Sequence, residues 1–193
     1  MSQTNFDDLE AVFEQPDGEF KANLPEALDG AAENIEHLLA LHPDAFETLS
    51  TRMSTLDDIG TDATEEPGTV REFITVLWDG LSLVTEMVPA VSEEVTEEYA
   101  VNWKPTHSPV SFHMTADPET GTVAGGLGLL DDPGIGFERT TNVMFSMLND
   151  DSFNATLAYV QNRYEVVGSL ERARSFNDMM DTVTENTENL NPE

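Results

Sequence analysis

The sequence predicts an α+β fold: an open, largely antiparallel sheet covered on one face by helices, with a helical N-terminal extension. Three observations predict it. Residues 163 to 183 read as a short strand (Tyr164, Val166, Val167), a turn at Gly168 and an amphipathic helix whose Phe176, Met179, Met180 and Val183 recur at i, i+3, i+4 and i+7. Val110, Phe112 and Met114 alternate with Ser111, His113 and Thr115, the pattern of a half-buried strand. Val70, Phe73, Ile74, Leu77, Trp78, Leu81, Val84 and Val88 form a long apolar stripe of helical period. Strands grouped together with segregated helices make the class α+β rather than a parallel α/β sheet.

In chain order, Phe6, Leu9, Val12 and Phe13 predict a short helix that stops at the Gln15-Pro-Asp-Gly18 turn. Asn23 and Glu26 form a capping box for a helix whose face is Leu28, Ala31, Ala32, Ile35, Leu38 and Leu39. After Pro43 a further short helix carries Phe46, Leu49 and Met53. These elements form an N-terminal extension, residues 1–62, and the polar, turn-rich stretch around 63–69 reads as the linker to the main domain, 70–186. Thr69 and Glu72 are a second capping box ahead of the long helix. A weaker helix after Pro89 leads to Tyr99 and Trp103. The Val110–Met114 strand, the Asp117-Pro-Glu-Thr-Gly121 turn and Thr122–Leu130 make a hairpin, and a third strand spans about 136–140. Two short helices follow, one with Val143, Met144, Phe145 and Leu148, the other capped by Ser152 with Phe153, Leu157 and Val160 on one face. The tail, 187–193, is polar and expected to fray.

The chain of 193 residues carries 38 acids against 8 bases, a formal charge of -30, and no cysteine. The missing cysteines exclude disulfide frameworks, thiolate zinc sites and cysteine nucleophiles. The acids read as the surface of a protein from a salt-loving cytoplasm, because at about 1 M salt the Debye length is roughly 3 Å and like charges scarcely interact. A basic patch able to displace counterions from DNA or RNA is lacking, which excludes nucleic-acid binding. The N-terminus lacks the plan of a signal peptide, and the most apolar window, 73–91, is broken by Asp79, Glu86 and Pro89. A cytoplasmic protein without stable membrane insertion is expected.

Chemistry-bearing motifs are scarce. His37, His42, His107 and His113 form no zinc motif, and Glu33 with His37 is an i, i+4 pair that arises freely in so acidic a chain. His113 is expected on the solvent side of its strand. The segment Thr122-Val-Ala-Gly-Gly-Leu-Gly-Leu-Leu130 lacks the lysine and hydroxyl of a phosphate-binding loop, so its glycines are read as letting a strand bend. Asp131-Asp132-Pro-Gly134 lacks the alternating acids of a calcium loop, and no nucleophile elbow occurs. No metal and no cofactor is therefore expected. What remains is more large apolar side chains than an acidic surface needs, several of them adaptable methionines.

From about 70 to 186 the chain resembles the sterol carrier protein-2 family. The resemblance lies in the order of an entry helix, the Val110–Met114 strand, a hairpin, and a short helix ending Met147-Leu148-Asn149-Asp150. Ala155–Val160 then leads into Arg163-Tyr-Glu-Val-Val-Gly168 and a final helix. Gly168 stands where that family turns into its last helix, whereas Asn162 or Arg163 stands where it often has a glycine, and the first 60 residues have no counterpart. Together with the acidic surface, the resemblance makes a member from a halophilic archaeon the expectation. Its fold would be an SCP2-like sandwich with an apolar tunnel between sheet and helices, binding acyl chains, sterols or isoprenoids without catalysis.

The function expected is non-catalytic carriage of a hydrophobic, lipid-like ligand, with Phe112, Met114, Phe145, Phe176, Met179 and Met180 lining the tunnel. Given the charge, an isoprenoid or quinone is preferred over a sterol. At about 0.8 kcal/mol per buried CH₂, ten carbons supply on the order of 8 kcal/mol before the losses of binding. The alternative is a structural or interaction module with a dry core, its partner a second copy docked through residues 24 to 53. An enzyme would need a polar cluster inside the core, for which His107 and Arg139 are the only nominees.

Overall fold

The computed structural model describes residues 11–33, 35–36, 39, 48–49, 51–53, 59–65, 67–149 and 153–188. The helices bounded within these are α1 (Asp17–Glu33), α2 (Ile59–Glu65), α3 (Pro67–Met87), α4 (Pro89–Ser92), α5 (Thr141–Asn149), α6 (Ala155–Val160) and α7 (Leu170–Glu188), and residues 11–13, 35–36, 39, 48–49 and 51–53 are helical as well. The strands are β1 (Tyr99–Pro105), β2 (Phe112–Asp117), β3 (Thr122–Leu127), β4 (Ile135–Arg139) and β5 (Glu165–Gly168). They form one open sheet in the order β3-β2-β1-β4-β5. Every pairing is antiparallel except β1 with β4, where Val101 opposes Ile135 and Trp103 opposes Phe137. The α+β class read from the sequence is the class observed.

Strand parity sorts the sheet into two faces. Tyr99, Val101 and Trp103 of β1, Phe112 and Met114 of β2, Val123 of β3 and Ile135 and Phe137 of β4 point inward and are buried. The helices supply the opposing layer. On α3, Phe73, Ile74, Leu77 and Trp78 are buried, and the Thr85 hydroxyl accepts the Val123 backbone N–H at 3.2 Å inside the core. Gly125 is glycine for a contact rather than a bend, since a Cβ there would run into the Trp78 indole.

The central strand β1 escaped the sequence reading, which carried it as the tail of a helix after Pro89. That helix ends at Ser92. The seven residues Tyr99–Pro105 do alternate, but the acids at 93–98 ahead of them mask where the period changes. Helix starts also differ from the capping boxes. α1 begins at Asp17, whose charge and that of Glu19 suit the N-terminal end of the helix dipole. Asn23 therefore lies mid-helix, donating to Gln15 at 2.8 Å. α3 begins at Pro67, a favoured first helical residue, which places Thr69 inside it. The cap of α6 is Asn154, whose side chain accepts from the Leu157 N–H at 2.7 Å. Leu157 and Val160, expected to be buried, are 53% and 75% exposed, and Ala158 is the residue that α6 buries.

The stretch read as a linker takes in the last residues of α2 and the first of α3, with Ala63 buried in the same core as Phe20, Leu24 and Leu28 of α1 and Leu49 and Met53. α7 continues as a helix through Glu188. Phe6, Leu9, His37, His42, Phe46 and residues 189–193 lie outside the described residues. Asn162 takes a φ of 57°, the left-handed conformation a glycine would adopt at the departure noted in the sequence.

The outer face is crossed by the connection from β3 to β4. Asn102, on the outer side of β1 and only 7% exposed, donates to the Leu130 carbonyl at 3.0 Å and accepts from the Leu130 N–H at 2.9 Å. His113 lies half-buried beside it, its Nδ1 3.2 Å from the Gly128 carbonyl. Replacing Asn102 by alanine removes both side-chain bonds to one half-buried residue and is expected to cost about 1–2 kcal/mol. Urea titration at molar salt measures this loss, and hydrogen exchange at the Leu130 amide should accelerate first.

Candidate functional site

The inner layer between sheet and helices is aromatic. Trp103, at the centre of β1, stacks on Phe112 with centroids 5.4 Å apart and an interplanar angle of 17°. It also meets Phe137 at 5.8 Å, Phe176 at 5.9 Å and Trp78 at 5.8 Å. Phe145 of α5 closes one side, 5.7 Å from Phe73 and 6.2 Å from Phe112. On the other side Phe176 of α7 meets Tyr99 edge-on at 5.4 Å.

Of the residues expected to line a tunnel, Phe112, Phe145 and Phe176 are therefore joined through Trp103 into one contiguous layer. Met114, fully buried, sits opposite Val101 and Gly125 in the sheet register. Met180 is half-buried against the same core. Met179 belongs to the core at 7% exposure and also walls a hollow of about 300 Å³ that opens to solvent. Tyr99, Ser175, Glu94, Glu97 and Asp178 complete most of that wall, so the hollow is polar at its rim and reaches the aromatic layer at Tyr99 and Met179.

The residues that sequence reasoning missed are Tyr99, Trp103, Phe137 and Trp78 as members of this layer. The period-two pattern of Tyr99, Val101 and Trp103 was the available signal for two of them. The nominated polar residues do not meet in the core. His107 is exposed. Arg139 pairs with Glu165 at 3.2 Å and donates to the Asn162 carbonyl at 2.9 Å. Among the described residues no three His, Asp or Glu side chains are grouped as a metal site would need, and no helix is long and apolar enough to cross a membrane.

Helix α7 is tied to the mouth of the hollow at its start. Arg172 donates to the Glu98 carbonyl at 2.6 Å and lies over the Tyr99 ring at 5.6 Å. The Tyr99 hydroxyl donates to Glu97 at 3.0 Å. Burial, and then the hydrogen bond and negative charge of Glu97, push the phenol up to about 12. A tyrosine in the unfolded chain ionises near 10, so the neutral ring's contribution is whole below pH 10 and is lost as the pH climbs toward 12. The expected loss over that window is about 2 kcal/mol. Urea titrations of the wild type and Tyr99→Phe across this range check it: the variant should show a shallower decline, to which Tyr164, its phenol also pushed up by burial, still contributes.

No protein-family model matches the chain, and no curated protein matches it. Among solved structures, a UbiJ-SCP2 ubiquinone synthesis protein is similar over 62% of this chain and 93% of its own, at 11% identity and a TM-score of 0.45. The stereoselective inverting sec-alkylsulfatase Pisa1 from Pseudomonas sp. is similar over 89% of this chain, at 13% identity and a TM-score of 0.44. The match spans 30% of that enzyme's length. At these levels neither lends its function to the chain, and the functional reading rests on the residues.

Proposed function

We propose that this protein binds a neutral, hydrophobic, lipid-like molecule between the sheet and α7, without catalysing a reaction on it. The observation that carries the reading is the meeting of Met179 with the hollow, where the aromatic layer comes within reach of solvent. Among the residues of α7 whose burial is described, Ala173, Phe176, Met179 and Val183 form the buried row, so a small outward movement of one helix opens the layer without disturbing the sheet. Methionine beside aromatic rings re-packs readily around a flexible chain. The acids at the rim and the charge of -30 disfavour a fatty-acid anion, which leaves isoprenoid, quinone or ester lipids of a salt-loving cytoplasm as the cargo class.

A second reading has its own support. The rings of the inner layer stand 5.4–6.3 Å apart, at contact distance throughout, as in a dry core that serves a structural or pairing role. Native mass spectrometry from volatile salt, on protein purified without detergent, separates the two. A carrier retains an adduct of lipid mass or takes up a fluorescent neutral lipid at molar salt. A protein that does neither, and runs as a dimer, is the module.

A further inference from the structure

The chain contains two tryptophans. Both lie in the inner layer: Trp78 on α3 is 2% exposed, Trp103 on β1 is 1% exposed, and their ring centroids are 5.8 Å apart. Each indole carries one hydrogen-bond donor, Nε1–H, and no acceptor. Neither Nε1 has a hydrogen-bond partner in the structure. A buried donor forfeits the bond it made to water, and such orphans are few in native proteins and call for a cause. Two of them in one pair of touching rings is a concentration that packing does not explain, because phenylalanine fills an apolar layer with no polar atom to satisfy. The other buried polar atoms nearby are served: Thr85 bonds Val123 and Ser82, and the Tyr99 hydroxyl bonds Glu97.

Resting on the binding reading above, we infer that the Trp78 and Trp103 indole N–H groups are the polar anchor of the site, and that the ligand carries a carbonyl oxygen which accepts from them. A carbonyl is an acceptor without charge, matched to donors without charge. A carboxylate would be desolvated beside the two indoles, and would have to pass Glu94, Glu97 and Asp178 at the mouth. A pure hydrocarbon would leave both donors unpaired. The class that fits is therefore a ketone, quinone or ester bearing a long apolar chain. The chain would run along Phe112, Phe137, Phe176 and Met179.

Because the chain has only these two tryptophans, the two indole N–H resonances report the site directly. Wild-type protein labelled with ¹⁵N is titrated at molar salt with methyl undecyl ketone, with tridecane of the same carbon count, and with tridecanoate. The ketone is expected to bind about tenfold tighter than tridecane, equivalent to roughly 1.4 kcal/mol. It should also move at least one indole proton downfield, which tridecane should not. In Trp78→Phe or Trp103→Phe the ratio of the two affinities should fall toward one. Equal affinities with no downfield shift in the wild type would overturn the anchor while leaving the carrier reading standing. A tridecanoate tighter than the ketone overturns the choice of a neutral carbonyl, and failure of all three probes to bind overturns both readings. The wild-type comparison decides even where a variant does not fold.

Discussion

Phe176→Ala is expected to destabilise the protein by about 3–5 kcal/mol, the range for deleting a phenylalanine from a packed core. The ring is 3% exposed and touches Tyr99, Trp103 and Phe137, with centroids 5.4, 5.9 and 6.2 Å away, so it bridges both strands at the middle of the sheet. None of these neighbours can follow it, since three are held by β1 and β4 backbone pairing and the lost volume stays as a void. Met180→Ala, one turn on and half-buried, should cost about 1 kcal/mol by comparison. Urea titration at molar salt gives both values. The void left beneath α7 also admits an apolar probe: methyl undecyl ketone should raise the midpoint of Phe176→Ala more than that of the wild type. A loss below about 1 kcal/mol would mean that α7 is not seated on the aromatic layer at all, and the binding reading would lose its wall.

How much of this was legible beforehand depends on how local each signal is. Phe176, Met179 and Val183 announce the buried face of α7 because helical period is a property of one short segment, and all three are buried. The alternation at Phe112 and Met114 likewise fixes which way β2 faces. The central strand was hidden because Tyr99–Pro105 owes its strand state to two neighbours, β2 and β4, that lie on either side of it in space and after it in sequence. The parallel pairing of β1 with β4 is not written in any local pattern. Helix starts failed for a related reason: Asn23 with Glu26, and Thr69 with Glu72, carry capping chemistry, yet Phe20 docks in the core and carries α1 back past Asn23, while Pro67 starts α3 ahead of Thr69. The site was half legible. Five of six expected residues are buried where helices meet sheet, but the tryptophans that give that layer its unpaired donors required the spatial arrangement of α3 over β1.

Gly168 is where the most local of these signals and the most global meet, and Gly168→Ala is expected to cost about 3 kcal/mol or more. Its φ of +103° lies beyond the left-handed region that asparagine tolerates, so any side chain there is strained irrespective of space. Space is also absent. A Cβ would stand 2.7 Å from the Gly134 carbonyl oxygen, a backbone atom that cannot rotate away, and Gly134 is the residue that leads into β4. Relief therefore requires parting β5 from β4, where Gly168 opposes Ile135, or swinging the start of α7 at Leu170. Gly18→Ala is the matched control: it lies in the first turn of α1 with nothing within 4 Å of the added Cβ, and should be neutral or stabilising by up to about 1 kcal/mol. Hydrogen exchange locates the damage. In Gly168→Ala protection should fall first along β4–β5 and α7 while the β1–β2–β3 ladder holds, and a variant as stable as the Gly18→Ala control would show that the strand-to-helix turn does not fix the position of α7.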